Sequence, residues 1–168
     1  GLILDVRNNG GGNLTTAEKL AERFTNEKKL IGYMSYKTGP GHNEFSTPEA
    51  VYLEPPMDRV RWQKHTVVLT NRRSYSATND FVNRMKQLDR VTVIGDKTGG
   101  GSGLPFSSEL PNGWSVRFSA SPMYDPDMKH LEFGIEPDKK VDITSEDYNK
   151  GIDTIIEAAR EYLHNHKQ

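Results

Sequence analysis

Cysteine is absent from the sequence. That excludes disulfides, thiolate zinc sites and a cysteine nucleophile, and leaves the redox compartment open. No apolar run approaches the roughly 20 residues needed to span a bilayer, and the first residues do not read as a signal peptide. An excess of either charge is missing too: 22 Lys and Arg stand against 23 Asp and Glu, a net charge of −1. Such a balance gives no support for binding nucleic acid or an anionic membrane. Apolar residues are sparse at 34%, so much of the surface must be wet or covered by something else. There is no internal repeat and no low-complexity tract.

At 168 residues a single domain over 1–168 with a real core is expected. Gly1–Val6 opens inside a strand pattern without an initiator Met, so the chain is expected to be a segment of a longer protein. The organising stretch is Val67–Gly103. Val67–Thr70 reads as a buried strand, polar residues break it at Asn71–Tyr75, and helical spacing begins at Ser76. Ala77, Phe81, Val82, Met85 and Leu88 fall on one helical face, Val91–Ile94 is a second strand, and Gly95–Gly103 is a glycine-rich loop. A serine at a strand-to-helix turn is exposed yet rigidly held, with helix-start amides beside it, which suits a nucleophile.

Upstream, a strand over Leu2–Val6 runs into Arg7-Asn8-Asn9-Gly10-Gly11-Gly12-Asn13. Three consecutive glycines are entropically costly and make sense where backbone meets a ligand closely or turns its amides toward an anion. A helix follows, with Leu14, Ala17, Leu20, Ala21 and Phe24 on one face and Thr15–Glu18 fitting a capping box. Both nucleotide-loop signatures, G-x-x-x-x-G-K-[ST] and G-x-G-x-x-G, are absent. Further strands are expected over Leu30–Tyr36 and Val51–Leu53. Phe106–Leu110 and Trp114–Ala120 flank a hairpin turn at Pro111-Asn112-Gly113, the second of them alternating like a half-buried strand. A last helix carries Ile152, Ile155, Ile156, Ala159 and Leu163 on one face and ends in the polar tail His164–Gln168. Helices alternating with strands early, and strands dominating late, indicate an α/β fold with sheet layered on helices.

Three blocks in this order resemble one family: Leu4–Gly12; Ser74-Tyr75-Ser76-Ala77-Thr78-Asn79 with Val93–Gly100; and Gly134-Ile135-Glu136-Pro137-Asp138. They look like the C-terminal processing peptidases, the tail-specific and tricorn-like serine peptidases, and the match covers essentially the whole chain. The resemblance implies a crotonase-like spiral α/β fold with mixed sheet layers packed by helices. It also implies a longer parent with an N-terminal helical part and a PDZ domain, a polypeptide substrate, and no cofactor or metal. It places the nucleophile on Ser76, with Ser74 as the neighbouring alternative, and one oxyanion amide on Ala77. The other amide comes from the glycine turn; relatives can carry proline at the position of Gly10, and proline has no N–H, which leaves Gly11 or Gly12.

The chain departs from the pattern at the general base. The bacterial processing peptidases use a lysine 25 positions after the serine, where this chain has Gly101; Lys97 lies four residues earlier. The tricorn-like branch uses a histidine from an upstream segment, so the base is expected from a part of the parent outside this sequence. Glu132 lies near the tricorn-like acid and is the candidate to orient that base, and His130 is the histidine beside a family block. Two other classes stay in view: a non-catalytic module binding peptides or apolar ligands, and an acyl-CoA enzyme on the same general fold. The serine block and the Gly-Ile-Glu-Pro-Asp block do not belong to the latter. By resemblance the parent works in a bacterial cell envelope or periplasm, with the cytoplasm as the alternative.

Overall fold

The computed structural model describes residues 1–57 and 61–166. Lys167 and Gln168 of the expected polar tail lie outside the described residues. Strand β1 (Leu2–Asp5) leads through the glycine turn to helix α1 (Leu14–Ala21), and β2 (Lys29–Met34) and β3 (Glu49–Leu53) follow. The central unit is β4 (Thr66–Thr70), α2 (Ala77–Lys86) and β5 (Val91–Gly95). After it come β6 (Phe106–Glu109), β7 (Ser115–Phe118), β8 (Met123–Tyr124), β9 (Lys139–Lys140), α3 (Ser145–Asn149) and α4 (Thr154–Asn165).

Four strands in the order β1-β4-β5-β9 make a parallel sheet, while β3-β2-β8 is antiparallel and β6-β7 stands as a separate hairpin. Parallel strands covered on both faces read as continuous apolar runs, which is why β4 and β5 stand out in the sequence. Alternation along them divides the core. Val68 and Val93 join Phe81, Val82 and Met85 of α2, Ala21 of α1, and Ile31 and Leu53 of the antiparallel sheet. Val67, Leu69 and Ile94 turn the other way, onto Ile155 and Ala159 of α4. The chain is therefore a layered α/β fold.

Three local expectations are revised, and one short element is added. Helix α1 is capped by Asn13, whose side chain accepts from Thr16 N, and not by Thr15; Glu18 instead reaches Arg84. The hairpin is exposed on both faces rather than half-buried, with Trp114 70% exposed. Nothing in the sequence's alternation distinguishes a strand on a core from a strand that stands clear of one. Ile152 precedes α4 and is exposed. The short α3, capped by Thr144 accepting from Asp147 N, adds an element before it.

One ion cluster ties α4 to the strand that feeds the glycine turn. Arg7 Nη2 lies 2.7 Å from Asp5 Oδ2 and 2.8 Å from Asp153 Oδ2, and Asp153 is also the N-cap of α4. Hydrogen bonds from Arg7 hold both carboxyls below the usual carboxylate range, against the opposing effect of partial burial. Groups whose folded pKa is depressed stabilise the fold above the unfolded value near 3.9, and that contribution is lost as pH falls through the folded pKa. Arg7→Met is therefore expected to cost about 1–3 kcal/mol at pH 7. The difference from the unsubstituted chain should shrink at pH 3. Urea unfolding at the two pH values checks it; an equal loss at both would show that Arg7 acts through packing alone.

Candidate active site

Ser76 sits between β4 and α2 with φ 59° and ψ −125°, a left-handed region that costs a residue with a Cβ about 1–3 kcal/mol. Hydrogen bonds on both sides hold it there. Tyr75 N donates to Asn9 O at 3.0 Å, Ser76 N to Gly100 O at 2.8 Å, and Gly99 N to Ser74 O at 2.9 Å. Serine is a preferred N-cap, yet the Ser76 side chain makes no capping hydrogen bond. The hydroxyl of Ser74 is by contrast fully engaged: it donates to Val6 O at 2.8 Å and accepts from Asn71 N. Of the two serines, Ser76 is the one left available.

The glycine turn lies directly against this serine. A Cβ on Gly11, whose φ is +92°, would come within 2.8 Å of both Ser76 Cβ and Ala77 N and 2.5 Å of Tyr75 O. Only glycine permits that approach. Asn9 fixes the turn's position, because its Oδ1 accepts from Gly11 N at 3.0 Å and from Thr78 Oγ1 at 2.8 Å. Gly11's amide is thus occupied, whereas no hydrogen bond among the described residues engages Gly12 N or Ala77 N. Gly10, Gly11, Gly12, Tyr75, Ser76 and Gly101 line one cavity of about 510 Å³, together with Arg117, Ser119 and Glu132.

Glu132 reaches this cavity through the glycine-rich loop. Gly101 N donates to Glu132 O at 3.1 Å, and Gly100 packs so tightly on that carbonyl that a side chain there is excluded. Behind it, buried Asn79 of α2 donates to Ser102 Oγ at 2.8 Å and Leu131 O at 3.0 Å, and accepts from Thr98 Oγ1. Ile135 N in turn donates to Thr98 Oγ1 at 2.6 Å. The Glu132 Oε2 atom is sealed from solvent and has no hydrogen-bond partner among the described residues. Such an orphan is costly unless something is meant to meet it.

The other charged candidates lie elsewhere. Lys97 Nζ pairs with Glu136 Oε1 at 3.1 Å and lines neither cavity that contains Ser76. His130 stands between the rings of Tyr124 and Phe133, its Nδ1 accepting from Glu132 N. None of the five histidines lines those cavities. Among the described residues no cluster of His, Asp or Glu could hold a metal ion. Asn9 and Asp80 line the neighbourhood without having been singled out in the sequence. Asn9 could have been found from its place inside the glycine block, but its partner Thr78 lies 69 positions away.

Comparison with known proteins places this geometry. The model of Peptidase family S41 matches residues 1–141. A Staphylococcus saprophyticus protein named as a CtpA-like serine protease is 27% identical over 142 residues, covering 84% of this chain and 27% of that protein. The crystal structure of a candidate peptidase from Parabacteroides merdae is 62% identical with a TM-score of 0.92, covering 97% of this chain and 51% of that one. Mature CPAF, at 17% identity, shares the fold with a TM-score of 0.82 over 99% of this chain and 44% of its own. The chain thus spans about a quarter of the length of the curated relatives it matches and about half of the Parabacteroides structure.

Two substitutions separate shape from chemistry here. Ser76→Ala should change unfolding free energy by no more than about 0.5 kcal/mol, because the hydroxyl holds nothing. Gly11→Ala should cost about 1–3 kcal/mol through backbone collision and positive φ. Chemical denaturation of both variants measures the contrast; equal losses would mean that the serine hydroxyl is structural after all.

Proposed function

The chain belongs to peptidase family S41, and from that membership we propose that it is the catalytic core of a longer serine peptidase acting through an acyl-enzyme at Ser76. The observation that carries the reading is a free hydroxyl on a strained turn beside two unengaged amides, Ala77 N and Gly12 N. Ser76 Oγ attacks the scissile carbonyl, the new C–O bond forms, and the oxygen's developing charge settles between those amides. Of Gly11 and Gly12, Gly12 is the donor in this proposal, because Asn9 already occupies the amide of Gly11. A general base takes the serine proton and delivers it to the leaving amine; water then releases the acyl group by the reverse sequence.

That base comes, in this reading, from another segment of the longer protein. Lys97 is committed to Glu136, and the described histidines lie away from Ser76. An imidazole arriving in the cavity beside Glu132 would meet its carboxylate, which would hold the ring's tautomer and stabilise its cation. The substrate is a polypeptide lying extended along the cavity, cleaved near a chain end by analogy with the processing peptidases. A bacterial envelope location is proposed on the same analogy; no helix among the described residues is long and apolar enough to cross a membrane.

That neither Lys97 nor any histidine lines the cavities at Ser76 favours one second reading, a module that binds peptides or apolar ligands without cleaving them. A fluorophosphonate probe applied to the full-length protein decides between the two. Labelling at Ser76, abolished by Ser76→Ala, is expected. Glu132→Gln should lower kcat/KM on a peptide substrate by about 10²–10⁴-fold with little change in KM. Absence of labelling, with peptide binding retained, would leave the binding module standing.

A further inference from the structure

Acyl transfer leaves one part of the Ser76 site unused. A recess of about 110 Å³ opens beside Ser76 and Ala77 and is lined by Leu14, Leu104, Pro105 and Met123. Leu104 takes a left-handed backbone with φ 44°, which a leucine adopts only at a cost. The lining of this recess, polar and apolar in about equal measure, also includes the carboxylate-bearing Asp80, one turn of α2 beyond Ser76 and only 2% exposed.

Asp80 is half satisfied. Its Oδ2 accepts from Arg84 Nε at 2.5 Å, and Arg84 Nη1 also reaches Glu18 Oε1 at 3.3 Å. The other oxygen, Oδ1, accepts no hydrogen bond among the described residues, yet it is not sealed from solvent. One guanidinium is thus shared between two carboxylates, of which Glu18 is partly exposed and screened by water while Asp80 is buried. Arg117 also lines the recess, but it is exposed and its charge is screened. Burial holds the Asp80 carboxyl above its ordinary value, and the neighbouring Arg84 guanidinium offsets that only in part.

We propose that this recess receives the substrate side chain preceding the scissile bond, and that Asp80 makes it select a long basic side chain, lysine above all. The proposal rests on the peptidase reading for the identity of the bond. Its volume is roughly three to four times the share of one water in the liquid, room for a single unbranched chain. The methylenes of lysine would lie along Leu14, Leu104 and Met123, and the ammonium would end at Asp80 Oδ1. A hydrocarbon chain of the same length would strip Oδ1 of water and return no hydrogen bond. A carboxylate would meet like charge.

Fluorescein-labelled tripeptides with free C-termini, Ala-Ala-Lys, Ala-Ala-norleucine and Ala-Ala-Glu, test this as product mimics in an anisotropy titration of the unsubstituted full-length protein. Lysine is expected to bind at least about tenfold more tightly than norleucine, with glutamate weakest. Asp80→Asn should bring the lysine-to-norleucine ratio toward one; should that variant fail to fold by circular dichroism, the ratio in the unsubstituted chain decides alone. Equal binding of lysine and norleucine, or no binding of any, overturns the proposal. Fluorophosphonate labelling of Ser76 is scored separately. Labelling without lysine preference sinks the subsite and spares the peptidase; preference without labelling does the reverse.

Discussion

The site depends on one side chain, Asn9. Its main-chain carbonyl takes Tyr75 N, and its Oδ1 takes both Gly11 N and Thr78 Oγ1. Two segments 69 positions apart in sequence are thereby locked at a single register. The glycine turn cannot drift from Ser76, and the first turn of α2 cannot rotate. Directional hydrogen bonds hold geometry better than apolar contact does, because any displacement leaves a donor or acceptor unmet.

A second polar network does the same for the opposite wall. Asn79, Thr98, Ser102 and the carbonyl of Leu131 join α2 to the glycine-rich loop and to the segment bearing Glu132. The two networks grip the same helix from two sides, one at Thr78 and one at Asn79. Preorganisation of this kind is what an oxyanion pocket requires, since amides that must reorient during reaction contribute little. It also explains why α2 is buried almost all round, Asn79, Asp80, Asn83 and Arg84 included.

That burial marks the boundary of what the sequence reveals. The strands β4 and β5 and the apolar face of α2 are plain in the residue pattern because both sheet faces are covered and the helix repeats on its own period. The triple glycine and Ser76 belong to separate blocks of the family pattern, and the structure brings the two into contact. The polar side of α2 would pass for a solvated face; its partners Ser102, Leu131 and Ile31 lie 23 or 52 positions away. Long-range pairing of that sort leaves no local trace. Nor does the exposure of the β6-β7 hairpin, whose turn chemistry is legible while its surroundings are not.

The strand order carries a consequence for how the chain is made. Leu2–Asp5 pairs with Thr66–Leu69, so among the described residues β1 has no sheet neighbour until about 60 further residues have been made. Meanwhile β2 and β3, close in sequence, can zip together on their own. Closing that long loop is entropically slow, so during synthesis the apolar β1 must wait for β4, in reach of chaperones and of other nascent chains.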